Sequence, residues 1–473
     1  MATGGIARPD RRAALAWFAM AALPAFLVAA FAPPVLGDGD TLWHVAAGNW
    51  IIDHGRVPMV DPFSFSFAGQ PWHVHEWLAE VLYALAWRAF GWAGVAALAG
   101  LMVALAAGLL HAFLRARVSP VAALLALILS FACLAPGMLA RPHLMSLPLL
   151  VGWSWLLLNA RAADRAPAPG WLLLIPLWAN IHGSALFAAA LAGFFAAEAL
   201  VTRPADWRRT MRLWTPFVAG ALLGLLATPR GLEGVIFLVE LTRMKSLGLV
   251  VEWQPLDLAR LSAAQVLFWA GLGSLLWWRV RLPWTRLALL ALLVVMTLQH
   301  QRHQALLATV GTMVWAQAVA CSRRAAPLPS LRAWLAPAAT ALLAVALVLR
   351  LALPTAPRES NGYPRTALAH IPADLRGLPV LNGYNSGGAL IAGGIRPFID
   401  GRTDLYGDAF NALAHGAEHG APGALEQVLA QWPIAWTFLP AESRAVAQLD
   451  RAPGWQRIYA DRLIVMHRRM AAR

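Results

Sequence analysis

The stretch AALAWFAMAALPAFLVAAFAPPVLGDGD, residues 13–40, is an apolar run that ends in two aspartates one residue apart. A helix that crosses a membrane needs roughly 20 mostly apolar residues, and this run supplies them. Arg8, Arg11 and Arg12 precede it, and Ala30-Phe31-Ala32 imitates a signal-peptidase site. The run is longer than a signal core of roughly 7–15 apolar residues, however, so it reads as a first span. Similar runs follow at 93–114, 118–137, 143–160, 171–182, 184–201, 213–229, 262–278, 286–300, 303–321 and 331–353, giving about eleven spans. Over its 473 residues the chain is 59% apolar and 13% charged, with mean hydropathy +0.58. An ordinary soluble domain is about 25% charged, so a soluble globular protein is excluded, and so are disordered and fibrous chains.

Arginine placement sets the expected orientation. With the amino terminus in the cytoplasm, the cytoplasmic turns carry Arg115/Arg117, Arg161/Arg165, Arg203/Arg208/Arg209/Arg212, Arg279/Arg281/Arg286 and Arg323/Arg324/Arg332. With the terminal arginines these make 17 of the 38 basic residues, against only Asp10, Asp164, Glu198 and Asp206. The opposite face is nearly balanced. The formal charge of +14 is therefore mainly a positive-inside signal, and no nucleic-acid partner is expected. An odd number of spans places the carboxy terminus outside. The two cysteines, Cys133 and Cys321, lie in apolar runs and read as small core residues, with no disulfide framework or cysteine-based zinc site.

From about residue 355 the pattern becomes that of a soluble segment. Expected strands at Leu378–Tyr384, Arg396–Asp400, Ile434–Leu439 and Arg462–His467 alternate with expected helices at 405–415 and 423–431. The resulting division is a transmembrane domain at 1–354, with a first outer loop at 37–92, and an outer α/β domain at 355–473.

Polar chemistry gathers in the outer connections. The first loop carries Asp38, Asp40, His44, His73, His75 and Glu76, and the spacing of Trp43, Ala46, Ala47, Trp50 and Ile51 predicts a helix lying along the membrane surface. A second such helix is expected over Trp77–Arg88. Asp38 and Asp40, where the first span leaves the bilayer, could ligate a divalent cation or take the proton of an acceptor hydroxyl. His73, His75 and Glu76 are candidates to join that site, although a His-x-His pair in a loop is more often hydrogen-bonded structure than a metal site. The outer cations Arg141, Arg230, Arg243, Lys245 and Arg302 suit an anionic group. Arginine is the better bidentate phosphate ligand, and Arg302, between two histidines at the start of a span, is the first choice. Arg230 with Glu233, and Arg243 with Glu240, are the bland alternative: ion pairs within their own turns.

The layout resembles the GT-C superfamily of polyprenyl-phosphate-sugar-dependent glycosyltransferases. Asp38–His44, Val57-Pro58 with Asp61–Ser64, Pro71–Leu78, Trp178–Gly183 and Phe398–Arg402 resemble in particular uncharacterised bacterial GT-C-like membrane proteins. The resemblance implies that an acidic residue of the first loop, Asp38 or Asp40, is catalytic or holds a metal. The stretch Asn382–Gly388 is faintly similar to the Trp-Trp-Asp-Tyr-Gly region of oligosaccharyltransferase catalytic subunits, but it lacks both tryptophans and the aspartate, so peptide recognition does not carry over. The implied function is sugar transfer from a polyprenyl-phosphate carrier to a glycan, lipid or protein acceptor of the cell envelope, on the periplasmic side of a bacterial inner membrane. Membrane lipids are the remaining expected partners. Asp38 and Asp40 would do the chemistry, with Arg302, Arg230, Arg141, His182, His44, His75 and Glu76 binding substrate. Mg or Mn at the aspartate pair is the only cofactor expected, and neither a nucleotide nor a redox group is. The alternatives are a transporter or flippase for a lipid-linked solute, and a non-catalytic envelope scaffold that keeps the GT-C shape.

Overall fold

The computed structural model describes residues 11–322 and 334–470. Arg8, Asp10, Arg323, Arg324 and Arg332, counted above for orientation, lie outside these. Helices occupy all eleven apolar stretches. Among the described residues, seven are long and apolar enough to cross a membrane: Ala13–Phe31, Trp77–Arg115, Pro120–Gly137, Pro142–Ala162, Ala185–Thr202, Gln301–Ser322 and Leu335–Ala352. Pro169–Ile181, Ala263–Trp277 and Trp284–Gln299 are shorter apolar helices, and Trp207–Gly224 carries its charges in its first turns. Bulky apolar side chains point outward along them, as at Val121, Leu124, Leu125 and Ile128 on a single helix. In water such a surface would drive association, whereas lipid solvates it. The chain is a multi-pass helical membrane protein with a small sheet near its carboxy terminus.

The first long loop, residues 37–92, departs from two expectations. The helix Asp40–His54 forms, but Thr41, Leu42, Trp43, His44, Val45, Ala47, Gly48 and Ile51 are buried, so it is packed inside the protein and does not lie free on a surface. The helix expected at Trp77–Arg88 is the first part of a 39-residue helix, Trp77–Arg115, which is broken at Phe90-Gly91. Gly91 has φ +58° and ψ −148°, a backbone conformation open essentially only to glycine, so the chain can turn there before the apolar part begins.

The carboxy-terminal sheet has four strands, β1 (Val380–Asn382), β2 (Trp436–Pro440), β3 (Trp455–Ala460) and β4 (Ile464–Arg469), in the order β1-β2-β4-β3. β1 and β2 are parallel, with Val380 opposite Trp436, and the helices Thr403–His419 and Ala424–Gln431 lie on the chain between them. A parallel pair needs such a crossover. β2 and β3 each pair antiparallel with β4. No strand forms at Arg396–Asp400. Pro397 offers no N–H, and the Asn382 side chain takes the place of a partner strand, accepting from Phe398 N at 2.8 Å and donating to Ile399 O at 2.8 Å. Strand β3, mostly exposed, was not anticipated. Cys133 is buried as expected, but Cys321 is exposed.

Candidate functional site

The two aspartates are oriented by the start of a helix. Asp38 accepts a hydrogen bond from the backbone N–H of Asp40 at 2.9 Å, and Asp40 occupies the first turn of Asp40–His54, where the helix dipole favours a negative charge. Trp43, one turn on, donates its indole N–H to Asp40 Oδ1 at 3.1 Å. Arg141, which caps the helix Pro142–Ala162, reaches this pair from the opposite side. Its Nη2 donates to Asp40 Oδ2, its Nη1 donates to Glu252 Oε1 at 2.6 Å, and its Nε stands 2.6 Å from Asp38 Oδ2. The Nε contact is short but off the N–H line, so it is ionic rather than a hydrogen bond. Ala140 N donates to Val35 O at 2.8 Å and Tyr83 Oη donates to Arg141 O at 3.1 Å, which fixes the arginine's backbone beside the first loop. Burial drives the Asp40 carboxyl up to about 7, against the pull of Arg141.

Glycine backbone from the carboxy-terminal segment lies directly on this group. A Cβ at Gly401 would collide with the Asp40 carboxylate, and one at Gly388 with the carbonyl of Gly39. Gly388 and Gly401 are therefore explained by close approach to the acidic segment. Tyr384 hydrogen-bonds to Gly401 O and Thr403 Oγ1 nearby.

A second group centres on Glu76, at the head of Trp77–Arg115. Its carboxylate lies 3.4 Å from His182 Nε2, 3.8 Å from His75 Nε2 and 3.9 Å from His44 Nε2. His44 also meets Glu80 at 3.3 Å, and its ring packs against that of Trp43, 3.6 Å between centroids. Burial, aided by Arg141 for His44 and by Arg302 for His182, pulls both imidazoles well below their ordinary value, so they stand neutral. Burial raises Glu76, opposed by His75 and Arg302.

Arg302 acts on members of both groups. Its guanidinium lies over the Trp253 ring, 4.3 Å from the centroid, and it acts electrostatically on Glu76, Glu252 and His182. Among the described residues no acceptor takes a hydrogen bond from it. The cation is held by a stacking contact while its donors remain available to an anion.

Of the anticipated residues, the fold gathers Asp38, Asp40, Arg141, His44, His75, Glu76, His182 and Arg302 in one region. Arg230 is placed apart. Its Nη2 donates to the Met59 and Trp72 carbonyls at 2.8 Å and its Nη1 donates to Glu233 at 3.3 Å, which straps the first loop to the helix Gly231–Leu241. It also borders a cavity walled by Leu186, Leu225, Val235 and Leu238, beside His73 and His75. Lys245 and Ser246 donate backbone N–H groups to Asp408, and no Arg243–Glu240 side-chain ion pair forms among the described residues. Glu252 and His143 join the site although neither was singled out. Their only sequence signal is a polar residue in a short outer turn, which says nothing of its partner.

Helices long enough to span, an acidic first loop folded back on the helix ends and a terminal segment covering it make up one recognisable fold. Two solved structures share it. One is the archaeal oligosaccharyltransferase AglB from Archaeoglobus fulgidus in complex with an inhibitory peptide and a dolichol-phosphate, at TM-score 0.54 and 11% identity, covering 89% of this chain and 69% of that one. The other is the Archaeoglobus fulgidus oligosaccharyltransferase in the apo form, at TM-score 0.53 and 13% identity, covering 91% and 70%. No protein-family model and no curated protein matches the chain.

Proposed function

We propose that the chain transfers a glycosyl group from a polyprenyl-phosphate carrier to a cell-envelope acceptor, at the periplasmic face of a bacterial inner membrane. The observation that carries this reading is the Arg302 guanidinium, stacked on Trp253 with no acceptor among the described residues taking its N–H groups, and acting on Glu252, which shares Arg141 with the buried Asp40 carboxyl that burial raises to about 7. The dolichol-phosphate and peptide bound by the AglB structure support a lipid-linked donor and a separate acceptor. The arginine-rich opposite face supports the orientation.

In this mechanism Asp40 takes the proton of the acceptor hydroxyl as its oxygen attacks the anomeric carbon. The bond from that carbon to the phosphate oxygen breaks, and the lipid phosphate leaves with the bonding pair. Arg302 meets the charge that develops on it, an interaction stronger in the transition state than in the ground state. Inversion at the anomeric carbon follows from a single displacement. Glu76 with its neutral histidines supplies hydrogen-bond acceptors and donors for sugar hydroxyls.

The test is transfer by the purified, reconstituted chain with a panel of radiolabelled polyprenyl-phosphate sugars, beside an Asp38→Asn/Asp40→Asn double variant. Transfer by wild type that the double variant lacks is expected; equal transfer by both removes the proposed role of the pair.

A further inference from the structure

Two carboxylates one residue apart are the kind of oxygen donors that Mg or Mn takes, and the sequence led to that expectation. The fold adds a third, Glu252, but puts a side chain at their centre. All three nitrogens of the Arg141 guanidinium face carboxylates: Nη2 faces Asp40, Nη1 faces Glu252 at 2.6 Å, and Nε faces Asp38 at 2.6 Å. These groups come from three segments far apart in the chain, so no local turn forces the arrangement. The guanidinium spaces the carboxylates, and among the described residues no group of three or more His, Cys, Asp or Glu side chains is positioned to hold a metal ion. A divalent ion entering here would meet a permanent positive charge, since arginine does not deprotonate at any ordinary pH. The residues do not fit a metal while Arg141 stays in place.

We infer that Arg141 is the resident cation of this site, filling the position a divalent ion would otherwise take, and that Asp38, Asp40 and Glu252 become a divalent-cation site when the guanidinium is removed. Arg141 is then a positioning residue. It holds both aspartates at fixed angles and offsets their mutual repulsion, a task a metal would perform with a chelatable ion. The consequence for catalysis, transfer that survives chelators, rests on the glycosyl-transfer reading; the occupancy of the site does not.

The experiment titrates the full chain, purified in detergent, with MnCl2, following free Mn2+ by electron paramagnetic resonance and stability by thermal unfolding. Wild type is expected to bind no stoichiometric Mn2+, and neither Mn2+ nor EDTA is expected to move its melting temperature. Arg141→Ala is expected to bind one Mn2+ per chain and to melt higher in its presence, and a second change, Asp40→Asn, is expected to remove both effects. Wild type that binds one Mn2+, lost on Asp40→Asn, overturns the inference. So does a folded Arg141→Ala variant that binds none. Should Arg141→Ala not fold, Arg141→Gln, which keeps much of the bulk, takes its place, and the wild-type titration decides the occupancy by itself. Failure of sugar transfer in every variant would count against the proposed function and leave these binding outcomes unchanged.

Discussion

Arg402 and Arg141 each join carboxylates from distant segments, and their surroundings differ in kind. The Arg402 side chain is 0% exposed; Nε and Nη2 donate to Asp400 at 2.8 and 2.6 Å, and Nη1 donates to Asp61 at 2.6 Å. Tyr406 Oη donates to Asp400, and Asp61 also accepts from the backbone of Phe63 and Ser64. Each nitrogen of the guanidinium and each oxygen of the two carboxylates has a partner, with Trp72 and Phe63 against the guanidinium. The Arg141 cluster is 19% exposed at the arginine, reaches Glu252 at 36%, and acts on a second cation, Arg302, from which no acceptor among the described residues takes a hydrogen bond. A closed ion cluster can only hold parts together. An open one, with a carboxyl displaced toward neutrality and an uncommitted cation, can exchange protons and receive an anion.

Substitutions should separate the two clusters. Arg402→Ala leaves Asp61 and Asp400 buried without a counter-charge, a loss of about 3–5 kcal/mol. The first loop should come away from residues 397–402, and the chain should fail to accumulate or melt far below wild type in a detergent thermal scan; wild-type stability would dissolve the contrast. Asp40→Asn should lower transfer by roughly 10²–10⁴-fold, the span of a general base, with little change in melting temperature. Arg302→Ala should cost about 10²–10³-fold in turnover, as for loss of a charge-stabilising donor, again in a folded protein. A fall confined to thermal stability would reassign it to structure.

Smaller effects sharpen the comparison. Because burial raises the Asp40 carboxyl to about 7, its ionised, proton-accepting form is lost as pH falls through that value. Turnover should therefore rise about tenfold per pH unit below 7 and level off above it, and a profile flat from pH 5 to 8 would remove Asp40 as the base. Glu233→Gln should do least. Its pairs with His73 and Arg230 involve a 60%-exposed carboxylate, and exposed pairs contribute about 0–1 kcal/mol, so stability and transfer should stay within error of wild type.

Much of the architecture is readable along the chain because hydrocarbon burial is a local property: a run of apolar residues specifies a helix whatever its neighbours do. The helices Pro142–Ala162 and Ala185–Thr202 fall within two residues of the limits read from the apolar runs. The sheet was less legible. β1 has three residues, and the Arg396–Asp400 run has the composition of a strand but satisfies its backbone through Asn382, a side chain sixteen residues away from Phe398. The buried helix Asp40–His54 was misplaced for a related reason. An apolar face announces that it will be covered, and it does not say whether lipid or distant parts of the chain, here the helix Trp77–Arg115 and the segment around Ile391, cover it.

The sequence by itself determined that this is a multi-pass membrane protein whose acidic pair emerges beside its first span. Composition and spacing carry that much, since both depend on residues next to one another. Only the tertiary structure decided that Arg141 fills the space between those acids, that Glu252 completes the set, that Arg230 is spent on backbone carbonyls, and that Arg302 rests on Trp253. Ionic partnership depends on which side chains meet within a few ångströms, and residues more than a hundred positions apart come that close only when the chain has folded.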